Sequence, residues 1–214
     1  MPQESLISFL LIASILAAAI HSYHIHGDSD SDDELCDCDY GPPLPPEYVT
    51  DEPPAKCQQD CPIGFTKFKR SSGRIVCFQI VRGKMNYWQA AEKCKTITIN
   101  GKLMGIENQI EYDWAKNLFG NKWHYLGARR KPECHAPKDV LRQMPQCQDD
   151  QMFFFTDGVT VGTFLWNNHW YFNNPDSHWL LNEFESAISM FAGGVGDIST
   201  GQIHDGALCG VAIC

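Results

Sequence analysis

Ten cysteines in 214 residues, with no C-x-x-C pair among them, restrict this chain more than any other feature. The closest pairs, Cys36-x-Cys38 and Cys57-x-x-x-Cys61, lack a downstream pair at zinc-finger spacing, so the cysteines read as a disulfide framework rather than a zinc site. Such a framework needs an oxidising compartment. Leu6 to Ile20 supplies a route to one: it is an apolar and small run, too short to span a bilayer comfortably, with Ala17 and Ala19 in the small-x-small pattern of a cleavage site. Residues 1–20 therefore read as a signal peptide, and the protein as secreted and extracellular. A short signal anchor is the alternative, because Met1 to Ser5 carries no Lys or Arg.

Residues 21–56 form an acidic and then proline-rich linker. They hold ten acidic residues against one basic residue, Lys56, so the net charge of −9 resides there. Like charges repel and little apolar surface offsets chain entropy, so this stretch reads as a solvated spacer rather than a His/Asp metal tract. Pro42-Pro43-Leu44-Pro45-Pro46 and Pro53-Pro54 stiffen it toward polyproline geometry. From Cys57 onward, 16 basic residues face 15 acidic ones, which leaves no strong field for nucleic acid or an anionic membrane.

Residues 57–214 carry the periodic patterns of one folded domain. Phe65 to Phe68 and Ile75 to Val81 flank Ser71-Ser72-Gly73 as a hairpin. Asn86 caps a helix whose Trp88, Ala91 and Cys94 share one face, and Asn108 with Glu111 caps a second that presents Ile110, Trp114 and Leu118. Trp123 to Leu126 reads as a buried strand, Lys131 to Asp150 as a loop bracketed by Cys134 and Cys147, and Gly206 to Ile213 as a closing strand. Asp157-Gly158, between Phe153-Phe154-Phe155 and Val159 to Trp166, signals another hairpin, with the Phe triplet directed to the core.

No Gly-x-Ser-x-Gly elbow, His-Glu-x-x-His helix or phosphate-binding glycine loop is present, and the histidines lie apart from any activated nucleophile. The sequence predicts no enzyme. What remains is a long stretch from Phe164 to Cys209 in which Asn174, Asp176, Glu185 and Asp197 all offer oxygen. Calcium takes six to eight oxygen ligands, so these four suit it if folding brings them together; otherwise they are solvated loop residues.

The series Cys61-Pro62-x-Gly64-Phe65, Cys77-Phe78, Trp88-x-x-Ala91, Cys94, Lys102-Leu103-x-Gly105-Ile106-Glu107-Asn108, Tyr125-Leu126-Gly127, Trp166, Pro175-Asp176, Asp197-Ile198-Ser199 and Cys209-Gly210 resembles the C-type lectin-like domain over residues 57–214. Gly127 to Arg130, Cys134, Cys147 and Phe155 to Gly158 resemble its secreted nematode members. The resemblance implies an α+β fold with two helices, two small antiparallel sheets and a long ligand loop. It implies the disulfides Cys94 with Cys209, Cys61 with Cys77 and Cys134 with Cys147, and a cis proline at Asn174-Pro175-Asp176. It also implies a calcium and carbohydrate site at Asn174, Asp176, Glu185 and Asp197, with Trp179 stacking on a galactose-type sugar. Trp170, Tyr171 and Phe172 either line the same loop or pack it to the domain.

Two departures stand out. Ala187 and Thr200 occupy the positions of the family's second loop disulfide, which predicts a more mobile loop, and Gly196 replaces an asparagine that bonds calcium and sugar. The expected function is a carbohydrate-recognition module with a degenerate calcium site, taking a glycan or cell-surface glycoprotein in innate defence or surface recognition. A calcium-independent domain for a protein partner is the alternative. Cys57 is expected to pair with Cys214, and Cys36 or Cys38 to join two chains in a disulfide-linked dimer.

Overall fold

The computed structural model describes residues 60–213. The segments expected to be a signal peptide and a linker, with Cys36, Cys38, Cys57 and Cys214, lie outside the described residues. Strand β1 (Thr66–Lys69) and the long strand β2 (Ile75–Met85) form the expected hairpin. Asn86 then starts helix α1 (Tyr87–Ile97) through a reciprocal cap, its Oδ1 accepting from Gln89 N and its own N–H donating to Gln89 Oε1.

The short strand β3 (Lys102–Leu103) leads to helix α2 (Gln109–Phe119), which Asn108 caps at Glu111 N. Beyond it, β4 (His124–Arg130) is joined to β5 (Phe153–Phe155) by a loop holding the short helix α3 (Lys138–Leu141). A second short helix, α4 (Phe164–Asn168), precedes the ribbon β6 (Trp179–Leu180) and β7 (Glu183–Phe184). Strands β8 (Ala187–Phe191), β9 (Gly194–Ile198) and β10 (His204–Ile213) complete the domain.

Eight strands make one sheet along the path β1-β2-β10-β4-β8-β9, with β3 on β10 and β5 on β4. The pairing of β10 with β4 is parallel, which places the C-terminal strand in the centre of the sheet. Gly127 permits a close approach of β4 to β3: a Cβ on it would lie 2.1 Å from Leu103 O. The three disulfides Cys61–Cys77, Cys94–Cys209 and Cys134–Cys147 all form. The second ties α1 to the central strand, and the third closes the loop between β4 and β5.

Several local expectations are corrected. Helix α1 buries Tyr87, Ala90 and Cys94, while Trp88 is 51% exposed because it covers an arginine outside the core. Helix α2 buries Glu111, Tyr112, Ala115 and Phe119, leaving Ile110 73% exposed. The cause is electrostatic: Glu111 turns inward to receive both Nε and Nη2 of buried Arg70, at 2.8 and 2.9 Å, so it does not close the box at the Asn108 N–H.

No hairpin forms at Asp157-Gly158. The Asp157 carboxylate is buried and accepts from the amides of Val159, Thr160 and Gly105, so the turn is fastened to the approach to α2 rather than to a following strand. The Phe triplet divides by strand alternation, with Phe153 buried and Phe154 42% exposed.

Candidate functional site

The loop from Tyr171 to Glu185 is held at one end of the sheet by contacts from three directions. Its Asn174-Pro175 bond is cis. Asn174 Oδ1 accepts from Asp197 N at 3.2 Å, and its amide Nδ2 donates to Tyr171 O at 3.0 Å. Asp197, on β9, returns the contact: its carboxylate accepts from Asp176 N at 3.1 Å and from Ser177 N at 2.9 Å. Ser177 Oγ in turn donates to Ala136 O at 2.6 Å, fastening the loop to the segment closed by Cys134–Cys147.

These bonds bring Asp176, Glu185 and Asp197 together, each with a carboxylate oxygen within 4.8 Å of the others. Asp176 is exposed, and Glu185 and Asp197 are buried. Asn174 reaches the group through Asp197 N. Trp179 stands apart on β6, 55% exposed and edge-on to Phe184. Trp170 packs against Trp166 and Phe153, and Tyr171 against Trp123 and Phe191, whereas Phe172 projects into solvent.

A fourth charge completes the arrangement. Arg130 ends β4 with its guanidinium buried, Nη2 donating to Asp197 Oδ2 at 2.6 Å and Nε to the Glu185 carbonyl at 2.5 Å, over the ring of Phe153. Gly127 to Arg130 stands out in the sequence, but nothing local says which of the two arginines turns inward. With all three carboxylates ionised, one guanidinium would leave two negative charges uncompensated. The consequence appears at Glu185: burial, a hydrogen bond shared with Asp176 and the nearby Asp197 and Asp176 charges push its carboxyl up to about 9.

The donor set fits a divalent cation. All three groups are hard oxygen ligands of the kind calcium takes, and two positive charges would neutralise the cluster. Asp176 and Glu185 have the most free capacity for it, since Asp197 already serves Arg130 and two amides.

A family model described as C-type lectin domain-containing protein 141/158 matches residues 69–213, more than half of the chain. The chain belongs to the C-type lectin domain family. No curated protein sequence matches it. Among solved structures, it is similar to the C-type lectin CEL-I from Cucumaria echinata (16% identity, TM-score 0.50, covering 71% of this chain and 97% of that one). It is also similar to the cow carbohydrate-recognition domain of CD23 (16%, 0.49, 73% and 99%) and to herring type II antifreeze protein (17%, 0.49, 72% and 100%). At these identities, the CEL-I match supports the fold alone.

Domains of this family are non-enzymatic recognition modules, and this C-type lectin domain is not an enzyme. Its two departures from the family pattern have structural counterparts. At Gly196, a Cβ would lie 3.0 Å from Asn174 Oδ1 and 3.3 Å from the Trp123 ring, so a side chain there would press on both.

At Ala187 and Thr200, a carboxylate stands in for the missing bridge. Glu183 Oε1 accepts from Ser199 Oγ at 2.6 Å and from both the amide and the hydroxyl of Thr200, and Oε2 accepts from Ser186 Oγ at 3.2 Å. Burial opposes the charge, but the Ser199 and Thr200 donors outweigh it and hold the Glu183 carboxyl below its ordinary value. Its role was not visible in the sequence because its donors come from two separate segments.

Proposed function

We propose that this C-type lectin domain is a secreted recognition module whose loop from Asn174 to Glu185 binds glycans with calcium. Asp176 and Glu185 serve as principal cation ligands, with Asn174 and Asp197 behind them. The observation that carries this reading is the convergence of three carboxylates, of which only Asp197 is paired with the internal guanidinium of Arg130, which leaves charge for a divalent ion to neutralise. Exposed Trp179 and Phe172 supply apolar faces of the kind that pack on a sugar ring. A glycan or cell-surface glycoprotein is the partner, in innate defence or surface recognition, and Cys36 or Cys38 in the linker would pair two chains for avidity.

Calcium titration by calorimetry, with Asp176→Ala beside the natural protein, tests the reading, followed by a glycan array in calcium and in chelator. Saturable binding that Asp176→Ala abolishes supports it, together with glycan signals that chelator removes. A second reading, a calcium-independent domain for a protein partner, is favoured by Arg130, which already neutralises Asp197 from within. Absence of heat at millimolar calcium would retire the first reading in favour of the second.

A further inference from the structure

The two arginines that end β4 face opposite ways, as successive residues of a strand must. Arg130 reaches the carboxylates, whereas Arg129 lies beneath helix α1, its guanidinium carbon 4.8 Å from the centre of the Trp88 ring and 5.8 Å from that of Tyr87. Among the described residues no salt bridge reaches Arg129, and its Nε is buried without a hydrogen-bond partner. A buried donor with no acceptor carries its full desolvation cost, so such a group calls for an acceptor from elsewhere.

Beside it lies a cavity of about 440 Å³ between α1, β3, β4 and β5. This is the size of a small-molecule pocket, for which about 300–1,000 Å³ is usual. Trp88, Leu103 and Phe154 give it apolar walls, and Lys95 and Lys102 stand at its edge. All three charged residues lining it are cationic, and of these Lys95 pairs with Glu92 and Lys102 donates to Asp157 O, which leaves Arg129 as the one without a bonded partner at its Nε. Two of its few polar atoms, Tyr87 Oη and Thr156 Oγ1, bond each other, which leaves little to satisfy the hydroxyls of a neutral sugar.

We propose that this cavity binds a small amphiphilic carboxylate, whose head pairs with the Arg129 guanidinium and whose apolar body lies against Trp88 and Phe154. A guanidinium fork matches a carboxylate in shape and charge, and the aromatic walls match an apolar tail. The cavity shares no residue with the carboxylate cluster around Asp197, so the two proposals stand or fall separately.

The test is NMR titration of the full secreted chain with 4-phenylbutyrate and with the neutral 4-phenylbutanol, following the Trp88 indole and Arg129 Nε–H resonances. The acid is expected to shift both saturably and to bind about tenfold or more tighter than the alcohol, the scale of one charge-assisted hydrogen bond. Arg129→Gln should reduce the acid to the level of the alcohol, and Ala91→Phe, which fills the cavity without changing charge, should abolish both. Equal affinity for acid and alcohol in the natural protein would overturn the proposal, as would shifts that miss Trp88 and Arg129 or no saturable shift at millimolar ligand. The comparison of acid with alcohol decides the matter even where a variant fails to fold.

Discussion

Arg130 and Asp197 meet at 2.6 Å with both side chains wholly withdrawn from solvent, joining the end of β4 to β9 at the base of the loop from Tyr171 to Glu185. The pair does two things at once. It holds Asp197 where the amides of Asp176 and Ser177 can bond it, and it supplies part of the positive charge that the carboxylate cluster needs. Burial pushes the Asp197 carboxyl up, and Arg130 and the two amides oppose that shift.

Arg130→Met therefore leaves buried carboxylates facing one another without a cation. Loss of one partner from a buried pair costs about 3–5 kcal/mol, which denaturant unfolding will read. Calcium should recover more stability in this variant than in the natural protein. Equal gains in the two would separate Arg130 from the cation site.

The raised Glu185 carboxyl sets a pH dependence. Its folded value of about 9 lies above the ordinary 4.5, so between these values the native state holds a proton that the unfolded chain has released. In chelator, stability should fall as pH rises through that window. Calcium, by favouring the ionised form, should flatten the slope, and Glu185→Gln should flatten it without calcium. Thermal melting across this range is the measurement, and a slope of the opposite sign would count against the assignment.

Glu183 behaves in the opposite sense. Its folded value is depressed, so its contribution is present above the ordinary carboxylate value of 4.5 and is lost as pH falls through the folded one. Glu183→Ala strands the donors of Ser186, Ser199 and Thr200 and should cost about 1–3 kcal/mol. Hydrogen exchange at the Thr200 amide should quicken most. Unchanged protection there would show that Glu183 does not close the loop.

Removing the Cys134–Cys147 bridge as a double alanine variant should cost about 3 kcal/mol in the chain-entropy account, since the bridge closes a loop of 13 residues. Because Ser177 Oγ bonds Ala136 O within the closed segment, calcium affinity should weaken as well. Stability lost with affinity intact would confine the bridge to a scaffold role.

Local signals in this sequence translated well and distant ones did not. Asn86 and Asn108 cap the helices that follow them because a cap needs only the next three residues. The rotation of α2 has no local signal because Arg70, which draws Glu111 inward, lies 41 residues earlier. Asp157-Gly158 carries a strong hairpin pattern, yet the Gly105 amide, 52 residues away, claims the aspartate. The carboxylates of the candidate site were visible as chemistry, whereas Arg130 and Glu183 were not, since their partners sit 67 and 17 residues distant along the chain.

The Glu183 network also changes what kind of agent can undo the loop. A sulfur bridge at Ala187 and Thr200 would ignore acid and yield to a reductant. The carboxylate that stands there instead ignores reductants and yields to acid, within the time of a proton transfer and without a thiol catalyst. At this one fastening, closure of the loop is tied to the acidity of its surroundings, whereas the fastening through Ser177 and the Cys134–Cys147 segment keeps its dependence on redox state.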